Sequence, residues 1–137
     1  LAGELVLPSA TVREPFVDTA DIADMAVAAL TEEGHAGQTY ELTGPRLMTF
    51  SDAVAEFAAA GSRDVAYTPV TIEAYAETLR EAQMPEDVIW LVSYLFGSVL
   101  DGRNERLSDD IARVLGRPPR DFADFARDVA ETGFWRT

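Results

Sequence analysis

Three residue types that often carry catalysis are missing or nearly missing from this sequence. It contains no cysteine and no lysine, and its single histidine is His35. Without thiols the chain cannot form a disulfide, a thiolate nucleophile or a thiolate metal site, and one histidine cannot build a histidine-rich metal cluster. Without lysine it cannot form a Schiff base or lower the pKa of a neighbouring tyrosine with an ammonium group. We therefore expect no metal site, and the catalytic residues stay unknown.

Phosphate-binding glycine loops are also missing. None of the nine glycines falls into the pattern G-x-G-x-x-G or G-x-x-x-x-G-K-[ST]. These loops present backbone N–H groups to a pyrophosphate or a triphosphate. We therefore expect that this chain alone binds no NAD(P) and no nucleoside triphosphate.

The charge is strongly of one sign. The 137 residues include 24 acidic and 11 basic side chains, all of the latter arginine, which gives a net charge of −13. Such a surface repels nucleic-acid phosphates and anionic lipids, so neither is an expected partner. The first residues show no basic and apolar leader, and together with the absence of cysteine this predicts a cytoplasmic protein.

The order of patterns predicts one mixed unit over residues 1–137. Short apolar, β-branched segments come early, with strands expected in QTYELTG (residues 38–44) and DVAYTPVT (64–71), and helices follow. Asp18 is placed to cap a first helix and Thr49 the next, with Asp21 and Asp52 in the respective capping-box positions. The expected apolar stripe of that helix is Ile22, Met25, Ala26, Ala29 and Leu30. The fold class is α/β, with few strands and about six helices.

Most polar residues have a structural interpretation. His35 lies between two glycines at a helix end, where a solvated position is expected. Arg13 is interpreted as a surface arginine, although it could reach a phosphate. Acidic residues are interpreted as helix caps and solvated faces, with Asp121 capping a last helix and Asp124 in capping-box position. This helix is expected to bury Phe122, Phe125, Val129 and Phe134.

The most apolar segment is VIWLVSYLFGSVL, residues 88–100. It is shorter than the ~20 residues that cross a bilayer. Apolar residues run all round it, so we expect a core helix covered on several sides. The alternative is that Trp90 and Tyr94, one turn apart, form the wall of a pocket for a flat apolar ligand.

Four segments together carry a family resemblance. They are PFVDTADIADMAVAAL (15–30), GQTYELTGPRLMTFSDAVAEF (37–57), VAYTPVT (65–71) and LGRPPRDFADFARD (115–128). In this order they resemble the C-terminal half of NmrA-like proteins, which are atypical short-chain dehydrogenase/reductase relatives. The resemblance implies the last Rossmann elements plus a helical substrate-binding lobe, in a parent family that binds NAD(P) through a glycine motif upstream of these segments. It also implies that Phe16, in PFVD, approaches the substrate cleft, so the expected substrate pocket comprises Phe16, Trp90 and Tyr94.

Three functions remain open at this point. The first is the substrate-binding portion of an NAD(P)H-dependent oxidoreductase acting on a quinone or similar small molecule, inactive without its N-terminal half. The second is a non-catalytic dinucleotide or redox sensor of the same family, and the third is a free-standing helical ligand-binding module. Without the early strands, edges around 6–17 and 39–42 and apolar residues such as Phe16 and Leu42 should be uncovered. We therefore expect a homodimer or association with an N-terminal half.

Overall fold

The computed structural model describes residues 3–9 and 11–133. It confirms the mixed α/β architecture, with about six helices and few strands. In chain order the described elements are β1 Glu4–Leu7, β2 Arg13–Glu14, α1 Thr19–Thr31, β3 Met48–Thr49, α2 Phe50–Ala60, β4 Ala66–Pro69, α3 Ile72–Glu81, α4 Glu86–Tyr94, a π-helix Leu95–Val99, α5 Asp110–Leu115 and α6 Phe122–Glu131.

The strands form two small pairs. β1 and β4 run parallel, from Glu4 opposite Ala66 to Leu7 opposite Pro69. β2 and β3 run antiparallel over two residues each. β4 lies in the segment predicted as a strand.

The predicted strand at 38–44 is wrong, because these residues are assigned to no strand. The backbone N–H of Glu41 donates to the Asp110 carboxylate (2.7 Å), and the N–H of Gly44 donates to the carbonyl of Pro15 (3.1 Å). The segment is thus held by a side chain and a neighbouring loop in place of a strand ladder.

Helix α1 begins as predicted, but the side of the helix that is buried differs from the predicted one. The Asp18 carboxylate accepts from the N–H of Ala20 (2.7 Å), which confirms the cap. Asp21 takes no part in a capping box and is instead fully buried. The buried face consists of Asp21, Met25 and Ala28, so most of the predicted stripe is exposed, with Leu30 85% accessible. The ion pairs of Asp21 described below turn this face inward, because a buried carboxylate must stay beside its cationic partners.

The other caps follow the sequence more closely. Thr49 and Asp52 form the predicted capping box of α2, and Asp121 caps α6 by accepting from the N–H of Ala123. Asp124, predicted in capping-box position, pairs with Arg127 instead. Phe134 lies outside the described residues.

A chain of aromatic rings forms the centre of the helical layer. Edge-on or tilted contacts with centroids 5.1–6.3 Å apart link the rings in the order Phe57, Phe122, Phe16, Phe50, Phe96 and Tyr75. These separations and angles are those that aromatic pairs prefer. These ring contacts leave Phe16 half-buried. Leu42 is half-buried as well, so the expectation that both residues would be uncovered is wrong.

The segment predicted as one covered helix differs in two ways. It changes from α-helix to π-helix at Leu95, and of its α-helical part only Ile89 is buried. Trp90, Leu91, Tyr94 and Leu95 are exposed, so the chain does not cover the helix on several sides as expected. Within 3–9 and 11–133, no helix is long and apolar enough to cross a membrane.

Candidate functional site

A cavity of about 240 Å³ lies where the N-termini of α1 and α6 meet. Its walls come from the extended segment that leads into α1 and from the first turns of α6. The lining residues are Phe16, Val17, Asp18, Thr19, Arg120, Asp121, Phe122 and Phe125. The aromatic side chains give the cavity an apolar wall that continues into the chain of rings.

Gly44 fixes the position of Phe16. A Cβ atom at residue 44 would lie 1.9 Å from the carbonyl oxygen of Phe16, so only glycine allows this approach. The hydrogen bond from the N–H of Gly44 to the carbonyl of Pro15 holds the two segments together. The sequence L-T-G-P therefore has a structural role, which is to position one wall of the cavity.

An ion-pair network around the buried Asp21 fixes the Arg120 side of the cavity. Asp21 is fully buried and accepts from the backbone N–H of Arg120 (2.7 Å), from Arg117 Nη2 (2.8 Å) and from the Arg120 guanidinium. Asp24 binds the same two arginines, at 2.6 Å and 3.0 Å. The interpretation of acidic residues as caps and solvated faces is therefore wrong for Asp21, which joins α1 to the start of α6.

The arginines keep Asp21 ionised. Burial raises the pKa of a carboxyl group, because it penalises the charged form. At Asp21 the hydrogen bonds from the Arg120 backbone and from both guanidinium groups outweigh this effect, so the pKa is lowered. The carboxylate therefore serves as a fixed charge and not as a proton donor near neutral pH.

Asp121 is held in a similar way on the α6 side. Arg46 donates to both of its carboxylate oxygens, at 2.9 Å and 2.7 Å, and also pairs with Glu56. The hydrogen bonds from Arg46 lower the pKa of Asp121 to about 2. Arg46 thus connects the loop before β3 to the N-terminus of α6.

The cavity is suited to binding more than to proton transfer. Each of its charged side chains has a partner in the chain: Asp18 caps α1, the Arg120 guanidinium binds Asp21, and Asp121 binds Arg46. Among the residues that the structure describes, no group of three or more His, Cys, Asp or Glu could hold a metal ion. What the cavity presents to a ligand is mainly aromatic surface.

The structure does not bring the three predicted pocket residues together. Phe16 lines the cavity, but Trp90 and Tyr94 are absent from its lining. They lie on the outer face of α4, 65% and 51% exposed, with centroids 5.5 Å apart and ring planes inclined by 7°. Phe122 and Phe125, predicted from sequence as buried core residues, line the cavity. Phe125 is 38% exposed, so its predicted burial is wrong. The motif LGRPPRDFADF, which contains both residues and belongs to the family resemblance, was the sequence signal that could have pointed to them.

Two other polar residues have defined partners. His35 is half-buried, and its Nδ1 lies 2.7 Å from the hydroxyl of Tyr40, so the predicted solvated position is wrong. The rings are in edge-on contact at 5.6 Å, and this contact draws the histidine inward. Arg13 lies at the surface as predicted, where it pairs with Glu105 at 2.8 Å.

Known proteins match most of the chain. It is 33% identical over 125 residues to an NAD(P)H azoreductase of Xenophilus azovorans, a match that covers 91% of this chain and 44% of that protein. Its fold matches the Citrobacter triphenylmethane reductase with a TM-score of 0.80, at 22% identity over 94% of this chain and 45% of that one. It also matches an NADPH-dependent quinone oxidoreductase of Escherichia coli in complex with NADPH, with a TM-score of 0.81, at 20% identity over 93% and 45%. No family model matches.

The chain spans less than half the length of these relatives. The two solved structures show the fold, and the azoreductase match adds sequence similarity along nearly the whole chain. The predicted resemblance is confirmed: the chain belongs to the NmrA-like relatives of the short-chain dehydrogenases/reductases and corresponds to their C-terminal half.

Proposed function

We propose that this chain is the substrate-binding portion of an NAD(P)H-dependent oxidoreductase whose acceptor is a flat, conjugated small molecule. The observation that carries the proposal is the cavity between α1 and α6, walled by Phe16, Phe122 and Phe125. Aromatic rings bind a conjugated acceptor through offset-stacked and edge-on contacts. The names of the relatives support this class, since azo compounds, triphenylmethane dyes and quinones are all conjugated.

We also propose that the chain is catalytically inactive when no N-terminal half is present. The cavity of about 240 Å³ is too small for a dinucleotide. The chain also lacks the glycine-rich loop that usually holds a pyrophosphate. We therefore assign NAD(P) to the parent protein and no cofactor to this chain, and we place the parent in the cytoplasm. We treat residues 1–137 as a single unit.

The substrate proposal is tested with a protein in which an N-terminal half precedes this chain. NADPH oxidation is measured at steady state with menadione and with an azo dye as acceptors. Phe125→Ala should raise KM several-fold with a smaller change in kcat, because it removes ring contact from the edge of the cavity. Leu107→Ala, at another exposed apolar residue outside the cavity lining, is the matched control. Equal KM and kcat values for the two variants would contradict the assignment of the cavity as the substrate site.

The proposal for the isolated chain has its own measurement. Calorimetric titration with NADPH should show no binding in the micromolar range. A micromolar dissociation constant would contradict the assignment of the cofactor to a separate half.

A non-catalytic sensor of the same fold is the second candidate. The observation that favours it is that every charged side chain of the cavity is already partnered within the chain. The same longer protein separates the two candidates: a sensor binds NADPH but consumes none with any acceptor of the panel.

A further inference from the structure

Arg120 contributes a guanidinium group to the lining of the cavity. Its Nη1 donates to the carboxylates of Asp21 and Asp24, the latter at 3.0 Å. In the part of the chain that the structure describes, its Nε and Nη2 have no hydrogen-bond partner. The side chain is 40% exposed, so the edge of the guanidinium group formed by Nε and Nη2 is available to a ligand.

Other arginines of the chain use this same edge to bind oxygen. Arg13 donates from Nε (3.3 Å) and from Nη2 (2.8 Å) to one carboxylate oxygen of Glu105, so the edge fits a single oxygen atom. Arg46 and Arg103 each use the same two nitrogens on an aspartate. Arg120 differs from them because its carboxylate partners lie at Nη1, which leaves the Nε–Nη2 edge for an oxygen atom from outside the chain.

Asp21 holds Arg120 in position before a ligand binds. This carboxylate is fully buried and accepts hydrogen bonds from both the backbone N–H and the guanidinium group of Arg120. A side chain that is already immobilised loses little conformational entropy when it binds a ligand. The Nε–Nη2 edge is therefore a preorganised hydrogen-bond donor in a cavity whose other surface is mainly aromatic.

The charges around Arg120 favour a neutral oxygen over an anionic group. The carboxylates of Asp21 and Asp24 balance the guanidinium groups of Arg117 and Arg120, and the chain as a whole carries −13. An anionic group on a ligand would therefore enter a negative environment that offers no surplus positive charge. A carbonyl oxygen accepts the same two hydrogen bonds without this electrostatic cost.

We propose that Arg120 is a specificity-determining residue, which binds a carbonyl oxygen of the acceptor through Nε and Nη2 while the conjugated rings of the acceptor lie against the aromatic wall of the cavity. This inference rests on the proposed function and adds to it the residue that recognises the polar edge of the acceptor. Acceptors with a neutral carbonyl group conjugated to their rings gain this contact, and ring systems without such an oxygen do not.

Arg120→Lys and Arg117→Lys form a matched pair of variants for the test. Lysine keeps a positive charge beside Asp21 and Asp24, but its ammonium group has no second edge with two parallel donors. Arg117 binds the same two carboxylates and does not belong to the cavity lining. Its replacement therefore changes the same ion pairs without changing the donor that faces a ligand.

The measurement uses the longer protein, in which an N-terminal half precedes this chain, with NADPH and menadione. Arg120→Lys should raise KM for menadione about tenfold with a smaller change in kcat, because it removes a hydrogen bond from a charged donor. Arg117→Lys should leave this KM nearly unchanged. Naphthalene has the fused rings of menadione without its carbonyl groups, so its competitive inhibition constant should be the same in the wild type and in Arg120→Lys.

A second measurement needs only the wild type. Acetylnaphthalene adds a neutral carbonyl group to the rings, and naphthoate adds an anionic group of similar size. Acetylnaphthalene should inhibit menadione reduction more strongly than naphthalene does, and naphthoate should inhibit it more weakly than acetylnaphthalene. Stronger inhibition by naphthoate than by acetylnaphthalene overturns the preference for a neutral oxygen.

The outcomes distinguish failure of this inference from failure of the proposed function. An unchanged KM in Arg120→Lys, or an equal rise of KM in both lysine variants, overturns the role of Arg120. So does an equal loss of affinity for menadione and naphthalene in Arg120→Lys, because Arg120 would then only shape the cavity, which would remain the substrate site. A wild type that naphthalene and acetylnaphthalene both fail to inhibit contradicts the aromatic substrate site itself.

Discussion

Replacing Asp21 by asparagine should destabilise the fold strongly for an almost isosteric change. The carboxylate is fully buried and accepts hydrogen bonds from the Arg120 backbone and from two guanidinium groups. An asparagine oxygen can still accept one of these bonds, but its amide group then points N–H donors at cationic donors. Two charge-assisted interactions, worth about 1.5–3 kcal/mol each, are lost or weakened.

The expected loss of folding free energy is smaller than the sum of these two interactions, because the partners of Asp21 are partly solvated. The side chains of Arg117 and Arg120 are 33% and 40% exposed, and both keep Asp24 as a partner. We therefore expect Asp21→Asn to lower the free energy of unfolding by about 2–3 kcal/mol, which is less than the sum of the two interactions. Asp24→Asn, at a 45% exposed carboxylate in the same network, should cost much less, because solvent screens its ion pairs.

Urea unfolding of the wild type and both variants measures this difference. The pKa of Asp21 is lowered in the folded chain, so its stabilisation is present above the unfolded pKa of about 4 and is lost as pH falls through the folded value. The gap between wild type and Asp21→Asn should therefore be largest near neutral pH and narrow in acid. Equal losses for Asp21→Asn and Asp24→Asn, or a gap independent of pH, would refute the reasoning.

Three further predictions concern the stability of the fold. Gly44→Ala should destabilise the chain by about 1–3 kcal/mol or more in urea unfolding, because its Cβ would lie 1.9 Å from the Phe16 carbonyl; an unchanged midpoint would show that the two segments can separate freely. Thr49→Ala should cost about 1 kcal/mol in the same assay by removing the α2 cap, and Thr49→Ser, which keeps the hydroxyl, should recover most of it. The hydrogen bonds from Arg46 lower the pKa of Asp121 to about 2, so the stability of the fold should fall between about pH 4 and pH 2. Arg46→Met should reduce this acid-dependent loss, as measured by thermal unfolding at each pH. An equal loss in the variant would contradict the pairing.

Local patterns were enough for the elements whose signals lie within a few residues. The cap at Asp18, the capping box at Thr49 and Asp52, the strand around Tyr67 and the number of helices all follow from neighbouring residues. Such signals act through backbone groups two or three positions away, so the sequence contains them completely. The family resemblance was available for the same reason, since it depends on the order of short motifs.

Local patterns did not predict which side of a helix is buried or which segment finds a partner strand. In α1 the apolar stripe indicated one buried face, but Asp21 turns the helix by binding arginines about a hundred residues away in the chain. The strand expected at 38–44 depends on a partner strand that the described chain does not supply, and Glu41 binds Asp110 instead. Pairings between distant residues leave no periodic signal, so neither result could be read from local patterns.

The sequence by itself determined the chemistry that this chain excludes. A chain without cysteine or lysine offers no thiolate and no Schiff-base lysine in any conformation, and none of its nine glycines falls into the usual phosphate-binding motifs. Only the tertiary structure decided where its aromatic residues lie. It placed Phe16 with Phe122 and Phe125 around a cavity and left Trp90 and Tyr94 on an open face. The physical reason is that composition fixes which groups exist, while packing between distant segments fixes which of them meet.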